Sequence, residues 1–275
     1  MSQTTDYLEQ KFGLQGRKVV ITGGAGVLAG AMAEALLRAG AIVSLWGRHE
    51  DALSEAAGRV GTAAEAPDRV SWLLADAQDE GSMSKALSAC VSDLGGVDVL
   101  VNAVGGNKGK TPFLDTDIAL FEEVLKLNLV AGFMVPTKVF CRSWVEKKSR
   151  GSIINMASMS SYVPLSGVWA YDAAKAAVLN LTMAAAKEFA PHGIRVNAIA
   201  PGFFLGKQNK ALLVDQKTGE LTQRGRDIIS RTPFARFGDP EDLSGAVVFL
   251  ASDKASGFVT GTCVPVDGGF LVDCV

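Results

Sequence analysis

Lys18-Val19-Val20-Ile21-Thr22-Gly23-Gly24-Ala25-Gly26 is a run of branched residues that breaks into glycines; helix formers follow from Met32 to Ala39, with a stop at Gly40. Branched side chains suit a pleated, buried surface, and glycine just past a helical run ends it without strain. The stretch therefore reads as strand, tight turn and helix. Similar apolar runs recur at residues 41–46, 70–75, 97–102, 151–155, 195–199 and 263–266, with helix-like segments between most of them. This alternation predicts an α/β fold with a parallel, doubly wound sheet of about seven strands. The runs are nearly continuous in Val, Ile and Leu, as strands must be when helices cover both faces. Asp239-Pro240-Glu241-Asp242 supplies an N-cap and a first-turn proline for a helix through Leu250.

The 275 residues suit a single domain over 1–275, because no Pro- or Ser-rich linker or charge run divides them. A net charge of −2 with both signs intermixed offers no basic stripe, so no nucleic acid partner is expected. The N-terminal residues are polar, and no apolar stretch reaches the length of about eighteen residues that a membrane span needs. A soluble, cytoplasmic protein is expected, with no membrane partner. Cys90, Cys141, Cys263 and Cys274 are widely spaced, and His49 and His192 lie far apart, which argues against both a disulfide framework and a metal site.

The glycine-rich turn lets backbone N–H groups approach a pyrophosphate at the N-terminus of the following helix. Taken alone, the same turn also reads as one that only packs. Asp76 after the third strand and Asn102 after the fourth stand at the carboxyl ends of parallel strands, where ligands collect. Cofactor preference is written at the end of the second strand, where a carboxylate grips a ribose 2′-hydroxyl and an arginine accepts a 2′-phosphate. Trp46, Gly47 and Arg48 include no carboxylate, so Arg48 tips the expectation slightly toward NADP(H) over NAD(H). The plain alternative is a solvated arginine at a helix start.

Tyr171 and Lys175 stand four residues apart in a helical segment, on one face, and Ser158 precedes Tyr171 by thirteen residues. Bringing a phenol from a pKa of about 10 to about 7 needs roughly 4 kcal/mol. An ammonium about 4 Å away at an effective dielectric near 20 offers that order. Lys175 is therefore expected to acidify Tyr171. Singly, the residues also read as a core-edge tyrosine, a snorkelling lysine, a capping Ser158 and a polar helix-end Asn128.

Taken together, Thr22-Gly23 with its glycines, Asn102-Ala103-Val104-Gly105, Asn128, Ser158, Tyr171, Lys175 and Pro201-Gly202 closely resemble the short-chain dehydrogenase/reductase family, over nearly the whole chain. The resemblance implies a Rossmann-type sheet and a catalytic tetrad of Asn128, Ser158, Tyr171 and Lys175. In it Ser158 bonds the substrate carbonyl, Tyr171 passes the proton, Lys175 also holds the ribose hydroxyls, and Asn128 steadies a relay water. It implies cofactor contacts from Thr22, Gly23, Gly24, Gly26, Leu28, Arg48, Asp76, Ala77, Asn102, Ala103, Gly105, Tyr171, Lys175, Pro201 and Gly202. It further implies a homotetramer built partly on the Tyr171 helix, which is apolar nearly all round and seeks cover on a second face. Two departures stand out: Val27 and Ala29 occupy places where glycines are common, and Gly206 stands where a threonine is common, leaving Lys207 or backbone to replace its contact.

The strings 102–107, 151–159, 200–205, 217–222 and 264–270 resemble the D-mannonate oxidoreductase (fructuronate reductase) branch of that family, which implies a sugar acid substrate. Gly47 departs from the acidic residue associated with that branch. A hexuronate pocket calls for cationic and amide groups, and Asn107, Lys108, Gln208 and Asn209 stand on the loops expected to face substrate, with Ser158 at the carbonyl. Residues 202–235 read as a polar substrate lid. Rival readings are a gluconate 5-dehydrogenase-like enzyme, a 3-oxoacyl reductase, and a sensor that binds NADP(H) without turnover.

Overall fold

The computed structural model describes residues 3–206, 213–215 and 218–273. Seven strands alternate with helices: β1 Lys18–Thr22, β2 Ile42–Gly47, β3 Val70–Leu74, β4 Val99–Asn102, β5 Gly151–Met156, β6 Ile194–Pro201 and β7 Cys263–Val266. After α1 (Gln3–Phe12), helices α2 (Val27–Arg38), α3 (Glu50–Ala63) and α4 (Glu80–Leu94) fill the first three crossovers. Between β4 and β5 run α5 (Ile118–Leu125), π-type turns over Lys126–Met134 and α6 (Val135–Glu146). Helix α7 (Trp169–Phe189) joins β5 to β6, and α8 (Gln223–Ser230) and α9 (Ser244–Ala251) precede β7.

The strands form one sheet in the order β3-β2-β1-β4-β5-β6-β7, with every neighbouring pair parallel. This is a single-domain Rossmann-type fold. Alternate strand residues feed opposite faces: Val19, Ile21, Val43 and Leu45 pack with Leu36, Leu53 and Val247 from α2, α3 and α9. Val20, Trp46, Leu100 and Ile153 pack with Met83, Phe140, Trp144 and Val178 from α4, α6 and α7. Each such fully buried aliphatic chain contributes roughly 1.5–3 kcal/mol relative to exposure.

With both faces covered, the carboxyl ends of the strands are where connections diverge. The order reverses between β1 and β4, where Thr22 pairs with Asn102. The stretch 202–235 is less uniform than its composition implies: Val214 bridges Leu221, and Gln223–Ser230 is helical, capped by Thr222 Oγ1 accepting from Gly225 N at 3.1 Å. Lys207, Gln208, Asn209 and Lys217 lie outside the described residues. Among the described residues no helix is long and apolar enough to cross a membrane.

Gly24 shows how tightly the first turn is laid on the sheet. A Cβ there would meet Leu45 Cβ at 2.6 Å and Leu45 Cα at 2.9 Å, while Gly24 N–H donates to the Trp46 carbonyl at 3.0 Å. Gly24→Ala should therefore cost roughly 1–3 kcal/mol through overpacking and lower the melting temperature by several degrees. A variant that melts with the wild type would contradict this packing.

Candidate active site

Of three cavities that the described residues form at the carboxyl edge of the sheet, one of about 310 Å³ lies against Val266, Asp267 and Asp242 and adjoins the largest at Gly202 and Phe203, and the other two meet across the reversal of strand order. The smaller, about 250 Å³, is lined by Thr22, Gly23, Arg48, Asp76 and Ala77 among others. The larger, about 750 Å³, takes Leu28, Ser158, Tyr171, Lys175, Pro201 and Gly202 into its wall. Ala25, Gly26, Ala103, Val104 and Gly105 line both, so the two form one elongated cleft across the strand-order reversal. Helix α2 starts there on Gly26, whose backbone is extended and whose N-cap makes no side-chain bond among the described residues. The first-turn N–H groups thus lack intrahelical partners and face the positive end of the helix dipole toward an anion. Two compartments joined at a bare helix N-terminus fit a dinucleotide. Val27 and Ala29 line the large cavity without closing it.

The reactive side chains stand on the ends of β5 and α7. Ser158 follows β5, and its Oγ accepts from Ser160 N at 3.1 Å in a one-turn capping box whose other half is Ser161 Oγ. Ser161 Oγ in turn donates to the Lys175 carbonyl at 2.7 Å, fastening this turn to α7. Tyr171, half-buried, shares the large cavity with Ser158, whose hydroxyl is near enough to act on the phenol. One helical turn on, buried Lys175 donates from Nζ to the Met156 carbonyl at 2.7 Å and lies 5.7 Å from the Tyr171 ring centre.

The expected acidification of Tyr171 is not what this arrangement gives. Burial pushes the phenol up, the Ser158 hydroxyl opposes that, and the Asp172 carboxylate adds to the rise. The Lys175 ammonium is committed to Met156, and burial pulls it down to about 8. Two groups that the helix brings to one face are thus both driven toward neutrality by desolvation. A neutral phenol beside a serine hydroxyl at a cavity wall is a proton donor for an oxygen placed there.

Other expected site residues fall in different places. Asn128, on the π-type turns that recur at functional sites, is fully buried behind the cavity wall. Its Nδ2 donates to Gly106 O at 2.7 Å and Val124 O at 2.9 Å, and its Oδ1 accepts from Gly106 N at 3.0 Å. A Cβ on Gly105 would come within 2.8 Å of that Oδ1 and 3.2 Å of Lys175 Nζ, so the loop, Asn128 and Lys175 interlock. Asn102 is a correction: its side chain turns inward, donating to Thr137 Oγ1 at 3.1 Å and Asn155 Oδ1 at 2.9 Å, and it lines neither cavity. Gly24 likewise packs on β2 instead of lining the cleft. Lys108 pairs with Glu123 on the exposed surface, away from the cavity wall. Asn107 does line the large cavity, donating to Gly109 O at 2.6 Å. Gln208 and Asn209 lie outside the described residues.

Two cations that the sequence did not single out also reach this wall: Lys110 and Arg224. Lys110 is two residues along the same loop from Lys108, and residue type alone does not say which of the two turns inward. Arg224 sits on α8, hidden in a polar stretch with Gly225 beside it.

Comparison with known proteins agrees with this geometry. The family described as Enoyl-(Acyl carrier protein) reductase matches residues 24–271. An uncharacterised oxidoreductase of Bacillus subtilis (strain 168) is 41% identical, over 94% of this chain and 96% of its own length. Gluconate 5-dehydrogenase of Gluconobacter oxydans (strain 621H) is 32% identical, over 95% of this chain and 97% of its own. A crystal structure from Haemophilus influenza with bound NAD, provisionally assigned as a D-mannonate oxidoreductase, superposes with a TM-score of 0.86. It is 33% identical, covering 96% of this chain and 98% of that one.

Desolvation of Lys175 has a direct readout. In protein carrying ¹³C-labelled lysine, one Cε resonance that Lys175→Met removes should titrate near pH 8, its charge being lost as pH rises through that value. A Lys175 signal that titrates with the surface lysines, at about 10.4, would contradict the burial argument.

Proposed function

We propose that this chain, which belongs to the short-chain dehydrogenase/reductase family, interconverts a ketone and a secondary alcohol on a sugar acid, with D-fructuronate and D-mannonate as the pair. The family makes it an NAD(P)-dependent oxidoreductase acting on a CH–OH group. What carries the sugar acid reading is the large cavity. The Ser158 and Tyr171 hydroxyls meet at its wall, and among the described residues its charged lining is Lys110, Lys175 and Arg224, with no carboxylate. Such a cavity draws an anionic substrate. The D-mannonate oxidoreductase assignment of the Haemophilus structure supports the D-fructuronate/D-mannonate pair, and the Gluconobacter gluconate 5-dehydrogenase supports a 5-ketogluconate/gluconate pair about as well.

When bound, the nicotinamide supplies hydride for reduction and takes it back in oxidation. In reduction Tyr171 gives its phenolic proton to the carbonyl oxygen, and Ser158 donates a hydrogen bond to that oxygen. The raised Tyr171 keeps its proton at neutral pH, which suits this direction. Lys175 holds the ribose hydroxyls and, while charged, steadies the tyrosinate left behind. Asn128 has spent both N–H bonds on backbone and keeps an Oδ1 lone pair for a relay water, while it braces the loop at Gly106. Thr22, Gly23 and Asp76 belong to the adenosine half, and Gly26 and Leu28 to the pyrophosphate.

For the cofactor, NADP(H) is slightly favoured over NAD(H). Exposed Arg48 and His49 line the small cavity beside Trp46 and Gly47, and none of the four is acidic. The NAD held by the Haemophilus neighbour belongs to that protein. Residues 202–235 act as the substrate lid; Phe203, Phe204 and Arg224 from this stretch already line the large cavity. A homotetramer is the proposed assembly, supported by Met183 of α7, which is left exposed at 46%.

Tyr171→Phe should lower kcat by about 10²–10⁴-fold for keto sugar acid reduction, with NADPH affinity retained. Unchanged turnover, followed by NADPH absorbance, would remove Tyr171 from the chemistry. Arg48→Ala should raise the KM for NADPH about tenfold and leave that for NADH nearly still, since a charge-assisted bond to phosphate is worth roughly 1.5–3 kcal/mol. Equal effects on both cofactors, or a wild type with at least tenfold preference for NADH, would overturn the assignment.

A further inference from the structure

Helix α8 is tied at its first turn to Leu213, earlier in the same 202–235 stretch. Thr222 N–H donates to the Leu213 carbonyl at 3.0 Å, and Gly225 lies so close to that carbonyl that a Cβ would meet its oxygen at 2.3 Å. Leu213 is itself buried. Arg224 therefore leaves a backbone that is held in place, and its side chain, half-buried, lines the large cavity that also contains Ser158 and Tyr171.

The neighbouring arginines, Arg226 on this helix and Arg231 just past its end, are occupied. Arg226 donates to Leu221 O at 2.5 Å and Gln223 Oε1 at 3.1 Å, and Arg231 faces Asp273 at 3.8 Å. Arg224 has neither a hydrogen bond nor an ion pair among the described residues, although it is not fully exposed. Its nitrogens are not among the buried polar atoms left without a partner, so water reaches the guanidinium and an anionic ligand entering the cavity can take the place of that water. The planar fork of Arg224 matches a carboxylate through two parallel N–H···O bonds. Lys175 already serves the Met156 carbonyl, and Lys110 is an exposed, flexible point charge. Neither offers that fork.

We infer that Arg224 is the specificity-determining residue of this site, binding the carboxylate of the sugar acid while the keto group lies at Ser158 and Tyr171. The inference rests on the sugar acid reading above and goes further by naming the group that selects acid over neutral sugar. Arg224 acts on binding and orientation; it takes no part in proton transfer.

The test compares D-fructuronate with D-fructose, which carries CH₂OH in place of the carboxylate, and uses the ratio of their kcat/KM values so that general damage cancels. Arg224→Gln should reduce the acid-over-neutral ratio at least tenfold, chiefly through a higher KM for the acid, with the KM for the nucleotide unchanged. Arg224→Lys should recover part of the loss. Lys110→Gln removes the same charge from the same cavity and should change the ratio less. A ratio unaltered by Arg224→Gln, in enzyme that turns over D-fructuronate, overturns the role of Arg224 and leaves the sugar acid reading standing. An equal fall in Lys110→Gln would also overturn it, because the effect would then be the field of the cavity and not a contact. If the wild type reduces neither D-fructuronate nor 5-keto-D-gluconate, the parent reading fails and this inference fails with it.

Discussion

The reversal of strand order between β1 and β4 is the constraint from which the site follows. Seven parallel strands with helices on both faces leave one place where backbone connections part, and that place is the carboxyl edge. Thr22, Asn102 and Asn155 lie abreast across β1, β4 and β5, so the segments that follow them fan apart from a common line. The helix that follows β1 starts uncapped on Gly26, the loop after β4 carries Gly105, and the turn after β5 carries Ser158. A dinucleotide-sized cleft and its reactive wall are therefore two consequences of a single topological feature.

Desolvation then sets the chemistry. Tyr171 and Lys175 are brought to one helix face, yet the ammonium donates to Met156, and burial raises the phenol while pulling the ammonium down to about 8, so that it is still charged at neutral pH. The same burial that holds the phenol protonated puts Arg224 and Lys175 where an anion is the natural counterpart. Around Gly105 the packing is close enough that Asn128 and Lys175 leave no room for a side chain. Part of the expected catalytic set is in this sense loop architecture: Asn128 holds backbone from behind the cavity wall, and Ser158 holds backbone while lining the cavity.

Much of this was legible in the residues. The strand runs read correctly because strands buried on both faces carry consecutive branched apolar residues, as Val19-Val20-Ile21 and Ile153-Ile154 do. Tyr171 and Lys175 read as a pair because helical spacing is rigid, and it was the family resemblance that joined Ser158 to them. Less was legible where direction decides. Asn102 ends a strand at the ligand edge, but alternation turns its side chain inward to Thr137 and Asn155. Lys108 and Lys110 share a loop, and only the path of the backbone sends the second to the cavity. Arg224 was hidden because α8 is short, polar and contains a glycine that packs on Leu213. The pKa of Tyr171 was misjudged because spacing gives proximity and says nothing of how far water is excluded.

The most direct test is a crystal structure of the Tyr171→Phe protein with NADPH and D-fructuronate. The account predicts nucleotide along the cleft from Arg48 to Leu28, with the keto oxygen within hydrogen-bond reach of Ser158 Oγ and beside the residue 171 ring. Nucleotide in that cleft with the sugar acid bound elsewhere, or a keto oxygen remote from Ser158, would contradict it.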